Sequence, residues 1–231
     1  MNLPNAITVA RIASAPLIAL LPFAGGAGTR GAAFVLYIAA AVTDYVDGHL
    51  ARTRGLVTDL GRLLDPLADK LLLVATLVPM LALMGGPLLV PADALPAARP
   101  EFAFATPLGL VALPWWIVAV VLGRELFMTV FRQLAARRGL VIAAIGPAKW
   151  KTGFQSVWVG AAYFWFFART LADRAAWEDV TAWRAFAAFN GIVGAGSMLV
   201  AVALTLWSLW LYLRRYGGVL RGAHATSPAG R

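Results

Sequence analysis

Six runs of predominantly apolar residues, at about 7–24, 31–52, 62–85, 112–136, 148–170 and 187–213, alternate with segments rich in Gly, Pro and charge. Each is long enough to cross a hydrocarbon core of about 30 Å as a helix rising about 1.5 Å per residue. The breaks carry turn chemistry: Gly25-Gly26-Ala27-Gly28, Gly85-Gly86-Pro87, the stretch from Pro91 to Pro100, and Ile145-Gly146-Pro147. Trp115 and Trp116 open the fourth run, and Trp207, Trp210, Tyr212 and Tyr216 close the sixth, where amphipathic rings favour a membrane–water interface. The pattern predicts an all-α, polytopic integral membrane protein: six transmembrane helices in one domain over 1–216, then a small, polar, basic tail over 217–231 expected to be disordered. No basic residue precedes Arg11 and Pro4 is a helix-start residue, so the first run reads as a span rather than a signal peptide.

Composition strengthens this reading. With 61% hydrophobic and only 13% charged residues, and a mean hydropathy of +0.75, the chain lies far from soluble globular usage. The absence of cysteine excludes disulfides, thiolate metal sites and a cysteine nucleophile. The net charge of +9 is the feature out of keeping with a lipid solvent. If the six helices alternate, fifteen of the twenty basic residues fall on the side of Met1, the 52–62 and 136–147 loops and the C-terminus. The other side holds Arg30, Arg99, Arg169, Arg174 and Arg184, balanced by five acids. The positive-inside rule then puts both termini in the cytoplasm. Arg214, Arg215, Arg221 and Arg231 are topology determinants that also favour anionic headgroups, so membrane lipid rather than nucleic acid is the expected partner of the surplus.

Four of the acids on that side, Asp44, Asp47, Asp65 and Asp69, lie in or at the ends of the second and third runs. Carboxylates in a membrane helix cost a few kcal/mol unless partnered, which marks them as functional candidates. Asp44, Asp47, Gly48 and Ala51 fall on one helical stripe, and Gly61, Asp65 and Asp69 form a second stripe on the next helix. A short connection makes the two helices antiparallel neighbours whose stripes converge near the cytoplasmic interface. Converging carboxylates need cations, and oxygen-only ligands favour a pair of hard ions, Mg²⁺ or Mn²⁺. Gly48 and Ala51 leave room for a ligand at the backbone, and Arg52, one turn on, carries a fork suited to phosphate. The inferred ligand is a metal-bound phosphate, best a diphosphate.

Read as D-x2-D-G-x2-A-R-x8-G-x3-D-x3-D, Asp44 to Asp69 resembles the signature of the CDP-alcohol phosphatidyltransferase family at all eight fixed positions. Leu3 to Arg11 resembles the family's N-terminal segment. Leu64-Asp65-Pro66-Leu67-Ala68-Asp69-Lys70 is similar to the version in its bacterial phosphatidylglycerophosphate synthases, as are Gly123-Arg124-Glu125-Leu126, Ala135 to Gly139 and Lys149-Trp150-Lys151-Thr152. Together these cover roughly 1–155; the rest matches only as apolar helices.

The resemblance implies transfer of a phosphatidyl group from CDP-diacylglycerol to an alcohol, with release of CMP. It implies that Asp44, Asp47, Asp65 and Asp69 hold the divalent ions and that Asp69 deprotonates the acceptor. Asn5, Thr8, Gly48, Ala51, Arg52, Thr58 and Gly61 would bind the CDP moiety; capping and snorkelling account equally for Asn5, Thr8 and Arg11. Arg124, Arg132, Lys149 and Lys151 are the cations near the cytoplasmic ends of the fourth and fifth runs, and they suggest an anionic acceptor. Glycerol 3-phosphate fits them, while ordinary flanking of span ends is the competing account. Inositol phosphate and phosphatidylglycerol are the alternative acceptors. A cation or proton transporter would also place acids in membrane helices, but Gly48 and Ala51 beside the acids, and the acids' position near one face, favour the enzyme. The resemblance further implies a homodimer, and an Ala- and Arg-rich chain fits the bacterial inner membrane.

Overall fold

The computed structural model describes residues 3–54, 59–91, 95, 99–140, 142 and 146–217, with the backbone alone at 3–4, 45–54, 59–60, 62–63 and 147–149. Each apolar run forms a helix: α1 (Leu3–Leu20), α2 (Ala27–Arg54), α3 (Asp59–Met84), α4 (Trp115–Arg137), α5 (Gly146–Ala175) and α6 (Thr181–Tyr216). The ends differ from the pattern where local chemistry intervenes. α1 stops at Leu20 in a 3-10 turn over Leu21–Ala24, with Pro22 near its start and Gly25 closing it at φ +74°. α5 and α6 overrun their apolar runs and leave only 176–180 between them, where Ala176 turns the chain at φ 51°. The tail beyond 217 lies outside the described residues.

Three stretches, Asn5–Ala24, Leu64–Met84 and Thr181–Tyr216, are long and apolar enough to cross a membrane by length and composition. The other three helices carry Arg30, Asp44, Arg124, Glu125 and Lys151. All six present large exposed apolar side chains, among them Leu17, Val35, Val74, Leu126, Val157 and Phe189. Such a surface suits lipid, which carries no cost of exposing apolar groups, while the helix ladders satisfy the backbone internally.

α5 is the central helix. It packs along α6 and α2, whereas α1 packs on α2 and α3, and α4 rests on α3 and α6. Trp158, Tyr163, Trp165 and Phe166 of α5 are fully buried; Tyr163 stacks on Tyr37 of α2 and Trp165 on Trp183 of α6, with centroids 5.7 and 5.5 Å apart.

The all-α expectation needs one correction. The connection between α3 and α4 contains a two-stranded antiparallel hairpin, β1 (Phe104–Thr106) and β2 (Gly109–Val111), with Phe104 opposite Val111. Its tight turn uses Gly109 at φ +117°, and Thr106 Oγ1 donates to the Gly109 carbonyl at 2.7 Å. The hairpin is docked into the bundle, with Phe102 and Phe104 buried and β1 lying along α6. Gly191 and Gly194 permit this approach: a Cβ on Gly191 would stand 1.8 Å from the Ala105 carbonyl oxygen, and one on Gly194 2.3 Å from the Phe104 ring.

Contacts at the hairpin end join the segments that alternation puts together. Arg30 stacks on Phe102 at 4.5 Å, donates to the Pro22 carbonyl at 3.0 Å and to Thr170, and lies 3.8 Å from Glu101. The starts of α1, α3 and α5 therefore lie at the opposite end, where the candidate site is found.

Candidate active site

α1 and α3 run in the same direction, so residues one turn apart on one helix meet residues one turn apart on the other. Thr8 Oγ1 donates to Asp65 Oδ1 at 3.0 Å, and one turn along Arg11 Nη1 lies 3.4 Å from Asp69 Oδ1. The same guanidinium nitrogen pairs with Asp44 Oδ1 of α2. Arg11 thus ties three helices together. Its side chain is 1% exposed, whereas those of Asp44 and Asp69 are 51% and 61% exposed.

A second charged group is built by α4 and α5. Glu125 Oε1 accepts from Arg124 Nη1 at 2.9 Å and from Lys151 Nζ. Arg124 also donates from Nη2 to Ser208 Oγ of α6 at 3.2 Å, so its fork is anchored on both sides. Arg124 and Lys151 are buried, which makes their shared carboxylate a requirement rather than an ornament.

The two groups share a cavity. It has a volume of about 210 Å³ and is lined by Asp44 and Asp69 together with Glu125 and Lys151, with Tyr37, Thr76, Thr152, Gln155 and Ser156 adding polar lining. A larger one of about 670 Å³ between α3 and α4 shares Asp69 and Glu125 and adds Asp65, Lys70, Thr129, Arg132 and Gln133. Acid-lined and cation-lined surfaces so close together suit a ligand that brings metal-bound phosphate to one side and a second anion to the other.

Of the residues expected from sequence, Asp44, Asp65, Asp69, Arg124, Arg132 and Lys151 come together around these cavities. Asn5 and Thr8 are buried on α1, and Thr8 holds Asp65 rather than lining either cavity. Gly61 is buried on α3. Asp47, Gly48, Ala51 and Arg52 belong to α2, and Lys149 to α5, but their side chains lie outside the described residues, as does all of Thr58.

Two contributors were not among the expected site residues. Glu125 is a carboxylate inside an apolar run, the same signal that marks the four aspartates. Arg11 lies in the N-terminal segment that resembles the family's, where snorkelling accounts for it equally well. Its role depends on contacts 33 and 58 residues away, which no local pattern reveals.

Oxygen donors at Asp44 and Asp69, half open to one cavity and drawn from two helices, fit the chemistry of a hard divalent ion. Among the described residues no group of three or more His, Cys, Asp or Glu is assembled as a metal site.

The description CDP-alcohol phosphatidyltransferase belongs to the family model that matches residues 1–209. The CDP-diacylglycerol–glycerol-3-phosphate 3-phosphatidyltransferase of Bacillus subtilis is 38% identical over 172 residues, covering 69% of this chain and 75% of that protein. The Arabidopsis thaliana protein named CDP-diacylglycerol–glycerol-3-phosphate 3-phosphatidyltransferase 2 is 28% identical over 232 residues, covering 95% of this chain and 82% of the relative. A cardiolipin synthase (CMP-forming) from Oryza sativa is also 28% identical over 232 residues, covering 95% of this chain and 59% of the relative.

Proposed function

Since this chain belongs to the CDP-alcohol phosphatidyltransferase family and is a CDP-diacylglycerol-dependent phosphatidyltransferase, we propose that its acceptor is sn-glycerol 3-phosphate and its products are phosphatidylglycerophosphate and CMP. The observation that carries the acceptor assignment is the cavity that Asp44 and Asp69 share with the Glu125–Lys151 pair. The names of the Bacillus and Arabidopsis relatives support it.

In this reading Asp44, Asp47, Asp65 and Asp69 hold two ions, Mg²⁺ or Mn²⁺, which when bound would neutralise charge on the diphosphate and on departing CMP. Gly48, Ala51 and Gly61 make the floor for CDP, and Arg52 and Thr58 bind it with Asn5 and Thr8 in support. Lys151, Arg124, Arg132 and Lys149 receive the acceptor phosphate, so that its free hydroxyl points at Asp69. Asp69 takes the hydroxyl proton as the acceptor oxygen bonds to the phosphatidyl phosphorus. The bond from that phosphorus to the bridging oxygen breaks, and CMP leaves with the oxygen. Positioning and charge neutralisation do most of the work, as phosphoryl-type transfer requires.

The same reading places the six helices across a bacterial inner membrane, with the site at the cytoplasmic face, both termini inside and the chain as a homodimer. The match to a CMP-forming cardiolipin synthase favours phosphatidylglycerol as the second acceptor to test.

The test is purified protein with CDP-diacylglycerol, Mg²⁺ or Mn²⁺ and a panel of glycerol 3-phosphate, inositol phosphate and phosphatidylglycerol, reading CMP and the lipid product. Phosphatidylglycerophosphate formed with glycerol 3-phosphate is the expected result; turnover only with another acceptor refutes the assignment. Asp69→Asn should lose about 100-fold or more in turnover, the scale of general-base and metal effects. Near-normal turnover would remove Asp69 from the mechanism.

A further inference from the structure

Arg11 is a buried cation that the reaction outlined above does not use. It reaches Asp44 of α2 and Asp69 of α3 with one guanidinium nitrogen, at Oδ1 of each carboxylate. Arg11 is not among the residues lining the cavity that Asp44 and Asp69 wall. The guanidinium therefore stands behind the carboxylates, gripping them from the protein side while their exposed surface faces the cavity. One turn earlier on the same helix, Thr8 grips Asp65 in the same manner.

We propose that Arg11 is a positioning residue for the metal site: it holds one carboxylate from each of two helices at a common point and so sets how tightly that point takes a divalent cation. This rests on the metal reading under Proposed function. Carboxylates on separate helices repel and rotate unless something fixes them, and a bound ion alone would have to bear the whole cost of ordering them. A cation anchored behind the cluster fixes their rotamers beforehand, as outer partners do for ligands elsewhere. Arginine suits the task because it stays charged when buried and its rigid planar head holds a nitrogen within reach of both acids; lysine would supply the charge without that geometry.

The test is Mn²⁺ binding to the purified full chain in detergent micelles, followed by loss of the electron paramagnetic resonance signal of free Mn²⁺. Arg11→Met should weaken Mn²⁺ binding by about 10- to 100-fold, the range for loss of an outer partner, and Arg11→Lys should fall between it and wild type. Raising Mn²⁺ should restore turnover of Arg11→Met, a rescue that a general packing defect would not give. Affinity within about threefold of wild type in a folded Arg11→Met protein overturns the proposal. If that variant does not fold, unchanged affinity in Arg11→Lys overturns it instead. Mn²⁺ binding that survives Asp44→Asn in a chain with Arg11 unchanged would overturn the metal site itself. Binding that depends on Asp44 but ignores Arg11 would overturn the role of Arg11 alone.

Discussion

Replacing Lys151 with methionine separates acceptor binding from donor binding. The side chain is 6% exposed, its ammonium pairs with Glu125, and it walls the cavity that also holds Asp44 and Asp69. Methionine keeps the length and the apolar stem but removes the charge. A charge-assisted hydrogen bond to the acceptor phosphate is worth about 1.5–3 kcal/mol, so kcat/KM for glycerol 3-phosphate should fall about 10- to 150-fold. The cost to folding should be smaller than the about 3–5 kcal/mol of a broken buried pair, because Glu125 keeps Arg124 at 2.9 Å and is itself 27% exposed. Glu125→Leu is the informative contrast. It leaves two buried cations without their shared acceptor and should lower the thermal midpoint in detergent well below that of Lys151→Met. The assay varies each substrate at saturating levels of the other and follows CMP release. In Lys151→Met, kcat/KM for CDP-diacylglycerol should stay within about threefold of wild type, since uniform loss of binding to one substrate need not touch the other. Equal losses for both substrates, or for neither, would refute the placement of the acceptor phosphate at Lys151.

The docked hairpin makes its own prediction. Gly191→Ala would drive a Cβ to 1.8 Å from a backbone oxygen, so it should cost about 1–3 kcal/mol by overpacking and lower the thermal midpoint, as should Gly194→Ala. Gly196→Ala, which meets nothing within 4 Å, should stay within about 0.5 kcal/mol; equal midpoints for Gly191→Ala and Gly196→Ala would mean that the hairpin does not rest on α6. Orientation is testable because the chain has no cysteine of its own. With an impermeant maleimide on intact cells, Gly28→Cys should label and Ala136→Cys should label only after lysis; the reverse pattern would invert the proposed topology.

What could be read from the chain is what local spacing and solvent dictate. Apolar runs near 20 residues specify helices because lipid offers the backbone no other partner, and all six formed. The i, i+3 and i+4 spacing of Asp44, Asp47, Asp65 and Asp69 marked two stripes because helix geometry is periodic whatever surrounds it, and Asp44 and Asp69 indeed share one cavity. Glu125 carried the same signal as these aspartates, yet its meaning came from Lys151, 26 residues away on another helix. Arg11 reads as a snorkelling cation until α2 and α3 close over it. A connection rich in Gly and Pro reads as loop until Phe104 finds the flat surface that Gly191 and Gly194 leave on α6. Periodicity along one helix is a property of the chain alone, but which faces meet depends on how six helices fill space together. The aspartate stripes could therefore be read from the sequence, whereas Arg11 beside Asp44 and Asp69, and the Glu125–Lys151 pair in the same cavity, were decided by packing.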